Sequence, residues 1–319
     1  MPSCSLHGRP LKPSEWLPRG RWTVAPTPVD PRNAATIRGV LLLVDLDGVV
    51  YRGSDPVPGV AAVLADRVAR GDDVVYVTNN SMFYRSAYVT RLEAMGAPVS
   101  EDRVVTSARA TALYLREHHP DVRRVLVVGA GGLEREMRDV GLEVVAAAHA
   151  ATRSSQEAID GYAAAGQPDA VVVGLDPQLT YGRIAVAADA VRAGARFIAT
   201  NRDPTYPAER GLLPGAGSVV AAIEVASGTK PFAEIGKPGP LLLEEAAKAV
   251  GRSAAEAVMI GDAVTDIAAA RAVGARSVLM LTGVTRPERA AALPEDQRPT
   301  TIAADADALA AALERFAAG

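Results

Sequence analysis

The sequence predicts an α/β fold organised around a parallel sheet, and two observations carry that expectation. Short apolar, β-branched runs recur from residue 39 onward, and alanine-rich amphipathic stretches of helical length separate them, most ending on a glycine. Apolar runs without a polar alternation belong to strands buried on both faces, and strands alternating with helices imply right-handed crossovers that cover a parallel sheet from both sides.

The elements follow in order. Residues 1–36 are rich in proline, carry both tryptophans, Trp16 and Trp22, and show no periodicity, so they are expected to form an N-terminal extension. Strands are expected at 40–45, 73–78, 124–128, 170–174, 195–199, 257–261 and 276–280. The segments GVAAVLADRVARG, RSAYVTRLEAMG, YGRIAVAADAVRAG and GPLLLEEAAKAVG read as helices between them. No fixed-period repeat underlies the pattern.

Composition excludes several function classes. A chain of 319 residues, 49% apolar, is long enough for two domains or for one domain carrying an insertion. The net charge of -3, with lysines and arginines scattered, argues against a nucleic-acid partner. The single cysteine, Cys4, excludes an intramolecular disulfide and leaves no soft-metal site, as expected for a cytoplasmic protein. The N-terminus has no apolar stretch of signal-peptide type and no run reaches membrane-spanning length, so no membrane partner is expected.

Ligands of open α/β sheets collect beyond the carboxyl ends of the strands, so what each apolar run delivers there carries the functional expectation. LLLVD delivers Asp45, then Asp47 and Gly48; VVYVTNNS delivers Thr78, Asn79 and Asn80; AVMIGDAVTD delivers Asp262 and Asp266. In EIGKPGP, Lys237 stands in a loop immediately before a helix. Each fragment alone reads as ordinary: a solvated acidic pair, a turn or cap, a helix start. Together they supply what a phosphoryl group and a magnesium ion require. A hard cation takes oxygen ligands, commonly one or two carboxylates with water and a phosphate oxygen. Phosphoryl transfer is catalysed mainly by positioning and by positive potential around the phosphoryl oxygens, which a lysine, a hydroxyl and helix-start N–H groups provide. One carboxylate can attack phosphorus while a second, two residues on, protonates the leaving oxygen and later activates water.

The series DLDGVV, VTNNS, GKP and GDAVTD, in this order, resembles the haloacid dehalogenase superfamily in its phosphatase division. The stretches VVVGLDPQLTYGRIAVAADAVRAGARFIATNRDP and PGAGSVVAAIEVASGTKPFAEIGKP are similar to the branch containing p-nitrophenyl phosphatases, phosphoglycolate phosphatases and pyridoxal phosphatases; the resemblance covers roughly residues 39–285. It implies a Rossmann-like core at 37–120 and 232–319, with an α/β cap inserted at 121–231. It also implies roles: Asp45 as nucleophile and Mg²⁺ ligand; Asp47 as general acid and base with its backbone carbonyl on the metal; Thr78, Lys237 and Gly48 around the phosphate; Asn79 against the phosphate or the substrate's first hydroxyl; and Asp262 as a further metal ligand. The last two acidic residues of this branch typically stand five apart, whereas Asp262 and Asp266 are four apart, which leaves Asp266 open between a water-mediated metal contact and a partner for Lys237.

Substrate choice is assigned to the cap segment TNRDPTYP, with Arg202, Asp203 and Tyr206, and to SMFYRS, with Met82 and Phe83 beside Asn80. Arg202 has a competing reading as a surface ion pair with Asp203 or Glu209, and Met82 and Phe83 compete between an apolar substrate rim and packing at the cap hinge. VLVVGAGGLEREM opens like a dinucleotide fingerprint, but Glu134 stands where the third glycine belongs, so it reads as the first strand, turn and helix of the cap. The four histidines, His7, His118, His119 and His149, lie away from every motif. The expected function is Mg²⁺-dependent hydrolysis of a small phosphorylated metabolite, a sugar, cyclitol, glycerol, glycolate or nucleotide-type phosphate, through an aspartyl phosphate. A phosphoryl-transfer mutase and a non-catalytic regulatory relative are the alternatives, while Asp47 argues against dehalogenation. A homodimer paired through the cap is the expected assembly.

Overall fold

A computed structural model describes residues 39–146, 166–207 and 211–318. The expected N-terminal extension with its tryptophans and Cys4 lies outside the described residues, as do His7, His149 and Glu209.

The chain opens on β1 (Leu41–Asp45), followed by a short antiparallel hairpin, β2 (Tyr51–Arg52) and β3 (Asp55–Pro56), and then β4 (Asp73–Thr78) and β5 (Val104–Thr106). A second set of strands intervenes: β6 (Arg124–Val128), β7 (Glu143–Ala146), β8 (Ala170–Val173), β9 (Arg196–Ala199), β10 (Thr205–Pro207), β11 (Leu212–Pro214) and β12 (Ala233–Glu234). The chain then completes the first sheet with β13 (Ala257–Gly261), β14 (Arg276–Met280) and β15 (Thr301–Ala303). That sheet is parallel throughout, in the order β15-β14-β13-β1-β4-β5. Leu41 to Val44 are completely buried because the sheet is covered on both sides. Leu41 and Leu43 enter one apolar cluster with Leu115 and Leu242, while Leu42 and Val44 enter another with Leu64, Leu92 and Leu313. A one-faced strand would have alternated instead.

This strand order sets the position of the site. From β1 the chain moves outward through β4 and β5, and on its return it adds β13, β14 and β15 on the other side, so strand order reverses between β1 and β13. The crevice at such a reversal, beyond the carboxyl ends, is where ligands bind. β1 ends on Asp45 there, and β13 is followed directly by Asp262.

The intervening strands form a second parallel sheet, β12-β9-β8-β6-β7, with β10 and β11 as a separate hairpin. One face of it, with Val125, Val127, Val172 and Ile198, joins the apolar cluster that contains Leu41 and Leu43. Two further contacts tie this sheet to the loop after β4. A Cβ on Gly132 would collide with the Met82–Tyr84 backbone, so only glycine lets the helix Gly131–Asp139 start there, where the Gly132 N–H donates to Met82 O at 3.1 Å. Arg85 Nε pairs with the fully buried Glu136 carboxylate at 2.9 Å. The glycines of GAGGLEREM therefore serve close packing of a helix. The second sheet's last strand, β12, runs directly into Ile235, Gly236 and Lys237.

The seven strands expected from apolar runs are present to within a residue or so at their ends. β5, β12 and β15 are two or three residues long, too short to stand out as runs of their own. Among the described residues, no helix is long and apolar enough to cross a membrane.

The start of β1 depends on Asp72. Its Oδ1 accepts the Val40 N–H at 2.7 Å, and its Oδ2 meets Arg67 Nε, itself 3% exposed, at 2.5 Å. Asp72→Ala leaves the buried guanidinium without its closest partner and is expected to cost about 3–5 kcal/mol in urea unfolding. A loss below about 1 kcal/mol, the level of an exposed pair, contradicts this account.

Candidate active site

Gly48 makes the first turn of the site. It adopts φ +79°, its N–H donates to Tyr51 O at 2.7 Å, and its carbonyl accepts the Thr282 hydroxyl at 2.6 Å. A Cβ at Gly48 or at Gly283 would collide with the Asp262 carboxylate, so that group lies in a slot between two glycines. There Asp262 Oδ2 accepts the Val284 N–H at 2.6 Å.

Lys237 is 4% exposed, and its Nζ lies 2.7 Å from Asp45 Oδ1 and 2.6 Å from Asp266 Oδ1. Asn79 holds its backbone on both sides, with Oδ1 accepting the Lys237 N–H at 2.8 Å and Nδ2 donating to Lys237 O at 2.9 Å and to Asp203 Oδ2 at 3.0 Å. The Asn79 carbonyl in turn accepts from Ser107 Oγ at 2.6 Å and Asn201 Nδ2 at 2.7 Å. A Cβ at Gly236 would stand 2.5 Å from Asn79 Oδ1, so glycine is what admits the clamp. Asp266, in the first turn of the helix Val264–Ala272, accepts the Ala263 N–H on Oδ2 at 3.0 Å and presents Oδ1 to the lysine. Thr78, 5% exposed, accepts the Asn80 N–H on its hydroxyl oxygen at 3.2 Å.

The charges do not balance. One oxygen from each of Asp45, Asp262 and Asp266 lies within 4.8 Å of the other two. Burial pushes the Asp45 carboxyl well above the usual carboxylate range; Lys237 opposes this, and Asp266 and Asp262 add to it. Burial, followed by the neighbouring Asp266, raises Asp262 to about 6. Asp47 is raised by burial, with Arg91 and then Lys237 drawing it down. Burial works against the Lys237 charge, but Asp266 and Asp45 outweigh it and hold the ammonium above its ordinary value. One lysine cannot neutralise these carboxylates. An all-oxygen donor set this short of positive charge fits a hard divalent cation and does not fit a thiophilic one.

The site opens into a cleft of about 680 Å³ lined by Asp45, Asp47, Thr78, Lys237, Asp262 and Asp266, with Asn80, Met82, Phe83, Asp203 and Tyr206 on its walls. Three expectations change. Asn79 spends both side-chain amide protons and its side-chain oxygen on Lys237 and Asp203, so its side chain clamps the lysine loop and has no donor left for a phosphate. The Gly48 N–H is taken by its own turn, and the residue contributes space for Asp262. Arg202 is absent from the cleft wall, its guanidinium held by Glu234 at 2.7 Å and Glu224 at 2.8 Å. Among the described residues its acidic partners are thus Glu224 and Glu234 and not the Asp203 named from the sequence, which considered only near neighbours. Reasoning from motifs missed Thr282, Gly283 and Val284, although they follow β14 at the same carboxyl edge; it missed Ser107 and Arg91, which no motif marks, and Asn201, which stands in TNRDPTYP but was passed over for its neighbours.

Comparison with known proteins supplies the family. A model of haloacid dehalogenase-like hydrolases matches residues 42–143, and a second, HAD-hydrolase-like model matches 234–309. The acid sugar phosphatase of Staphylococcus epidermidis is 36% identical over 77% of this chain and 88% of its own. The chain belongs to the haloacid dehalogenase superfamily. Within that family the 5'-nucleotidase YutF of Bacillus subtilis is 34% identical over 82% of this chain and 94% of its own. The glycerol phosphate phosphatase of Mycobacterium tuberculosis, solved in complex with magnesium, superposes with a TM-score of 0.74 at 36% identity, over 88% of this chain and 79% of that one. This haloacid dehalogenase family member is a phosphoric monoester hydrolase, with a Rossmann-like core and an α/β cap.

Two outcomes follow from the geometry. Asn79→Ala removes the two hydrogen bonds that hold the Lys237 backbone and a third to Asp203, and is expected to lower kcat/KM about 10- to 100-fold; a change within about 2-fold contradicts the clamp. Asp262 binds its proton more tightly folded than unfolded, so it favours folding below pH 3.8 and this contribution is lost as pH rises through about 6. In EDTA, the Tm of Asp262→Asn relative to wild type is therefore expected to rise between about pH 4 and about pH 7, and a constant difference contradicts the assignment.

Proposed function

We propose that the protein hydrolyses a small phosphorylated metabolite with Mg²⁺ bound, through a phosphoryl group carried transiently on Asp45. The observation that carries this reading is the 2.7 Å contact of Lys237 Nζ with Asp45 Oδ1 inside a three-carboxylate cluster at the reversal of strand order. Asp45 and Asp262, with the Asp47 backbone carbonyl, would hold the ion; the oxygen-only donor set and the magnesium complex of the Mycobacterium tuberculosis relative support that choice. Bound there, it supplies positive charge against the phosphoryl oxygens.

The residues divide the chemistry. Lys237, anchored by Asp266, offers its ammonium to one phosphoryl oxygen. The Thr78 hydroxyl, whose oxygen already accepts the Asn80 N–H, has its proton to donate to another. An Asp45 oxygen attacks phosphorus as the ester P–O bond breaks, and Asp47, kept protonable by its burial, gives its proton to the departing oxygen. Water then attacks phosphorus, Asp47 takes the proton, and breakage of the acyl phosphate P–O bond returns Asp45 as carboxylate and releases phosphate. The acid sugar, nucleotide and glycerol phosphate activities named for relatives support a small phosphomonoester as substrate.

Hydrolysis of p-nitrophenyl phosphate is expected to stop in EDTA, to return with Mg²⁺, and to be lost in Asp45→Asn. Nitrophenolate leaves with little help from an acid, so Asp47→Asn is expected to release a burst equal to the enzyme and then to stall on the phosphorylated form. Steady turnover in Asp45→Asn, or an Asp47→Asn time course without a burst, contradicts the two-step route.

A further inference from the structure

The cations at the cleft fall into two groups. Lys237 is neutralised by Asp45 and Asp266, while Arg202 is bound to Glu224 and Glu234 away from the wall. Arg52, at the tip of the β2–β3 hairpin, and Arg91, in the helix Arg85–Ala94, both line the cleft beside Asp47 and Gly53. Among the described residues, neither has a carboxylate within ion-pair distance. Arg91 is nevertheless held in place: it is half-buried, and its guanidinium carbon lies 3.4 Å from the centroid of the Tyr51 ring, itself 1% exposed. Stacking of this kind leaves the N–H edge of a guanidinium free to donate. A cation placed by a buried ring, facing a cleft, with no donor spent on a described residue is arranged for an anion that comes from outside the protein.

The anion is not the phosphoryl group in transfer, which Lys237 and Thr78 are placed to meet. Arg91 stands on the Asp47 side, and Asp47, in the reading above, faces the leaving oxygen. A group attached to the leaving part of the substrate is therefore what Arg91 and Arg52 can reach. We propose that the preferred substrate is a phosphomonoester carrying a second anionic group on its alcohol part, a carboxylate or another phosphate, bound by Arg91 with Arg52 beside it. The proposal rests on the phosphatase reading. A cleft of about 680 Å³ has room for both groups.

The test compares phosphomonoesters of similar size with a neutral polyol, a carboxylate or a second phosphate on the alcohol part, by kcat/KM in wild type, Arg91→Gln, Arg91→Lys and Arg52→Gln. Wild type is expected to prefer one dianionic class over the polyol, and Arg91→Gln to reduce that preference about 10- to 100-fold, through a charge-assisted hydrogen bond lost. Arg91→Lys is expected to restore part of the preference, since it keeps the charge and loses the fork. Which of the two dianionic esters loses more identifies the anion. Arg52→Gln, on an exposed hairpin that does not involve the Tyr51 stack, makes the same comparison with the ring undisturbed. A wild-type preference for the polyol, or a ratio unmoved in both Arg91→Gln and Arg52→Gln whatever the absolute rates, overturns the proposal. Continued hydrolysis of the polyol ester in either case leaves the phosphatase reading intact.

Discussion

One buried ammonium placed between two carboxylates organises this molecule. Lys237 Nζ touches Asp45 at the end of β1 and Asp266 at the start of a helix after β13, and it reaches them from a loop that leaves the second sheet. Burying a charge is costly unless it is paired, and here the ammonium is paired with two carboxylates at once. The cluster as a whole stays too negative, since Asp262 and Asp47 add further carboxyl groups. This imbalance is what a divalent cation and a phosphoryl group together can resolve, the first by its charge and the second by accepting from the lysine.

The fold meets this constraint with backbone as much as with side chains. Gly48 and Gly283 leave the slot that Asp262 fills, Gly236 lets Asn79 close on Lys237, and Gly132 lets a helix of the second sheet sit on the loop after β4. Each substitutes absence of a Cβ for a contact that no side chain could make. Because β12 feeds directly into the lysine loop, and the second sheet shares an apolar cluster with β1, the position of Lys237 is set from two sheets at once.

The parts of this that were legible in the sequence have a common character. Runs buried on both faces read as strands because they lack alternation, and Asp45, Asp47, Thr78, Lys237 and Asp262 read as one set because each stands at a strand end or a helix start. What was not legible depends on distance along the chain. Asn79 looks like a phosphate ligand until its amide is seen to be used up by Lys237 and Asp203, 158 and 124 positions away. Arg202 looks like a substrate contact until Glu224 and Glu234 claim it. Arg91 carries no motif at all; its meaning comes from the Tyr51 ring beneath it. The four-residue spacing of Asp262 and Asp266 left the second residue's role open, and the helix start at Val264 turns one Asp266 oxygen onto Lys237, a contact the spacing does not show.

The most direct measurement is a crystal structure of the protein grown with Mg²⁺ and beryllium fluoride, which mimics a phosphoryl group on a carboxylate. This account expects the fluoride complex bonded to an Asp45 oxygen, contacted by Lys237 and Thr78, with the ion shared between Asp45 and Asp262. Beryllium fluoride bound elsewhere, or an ion held by carboxylates that do not include Asp45, would contradict it.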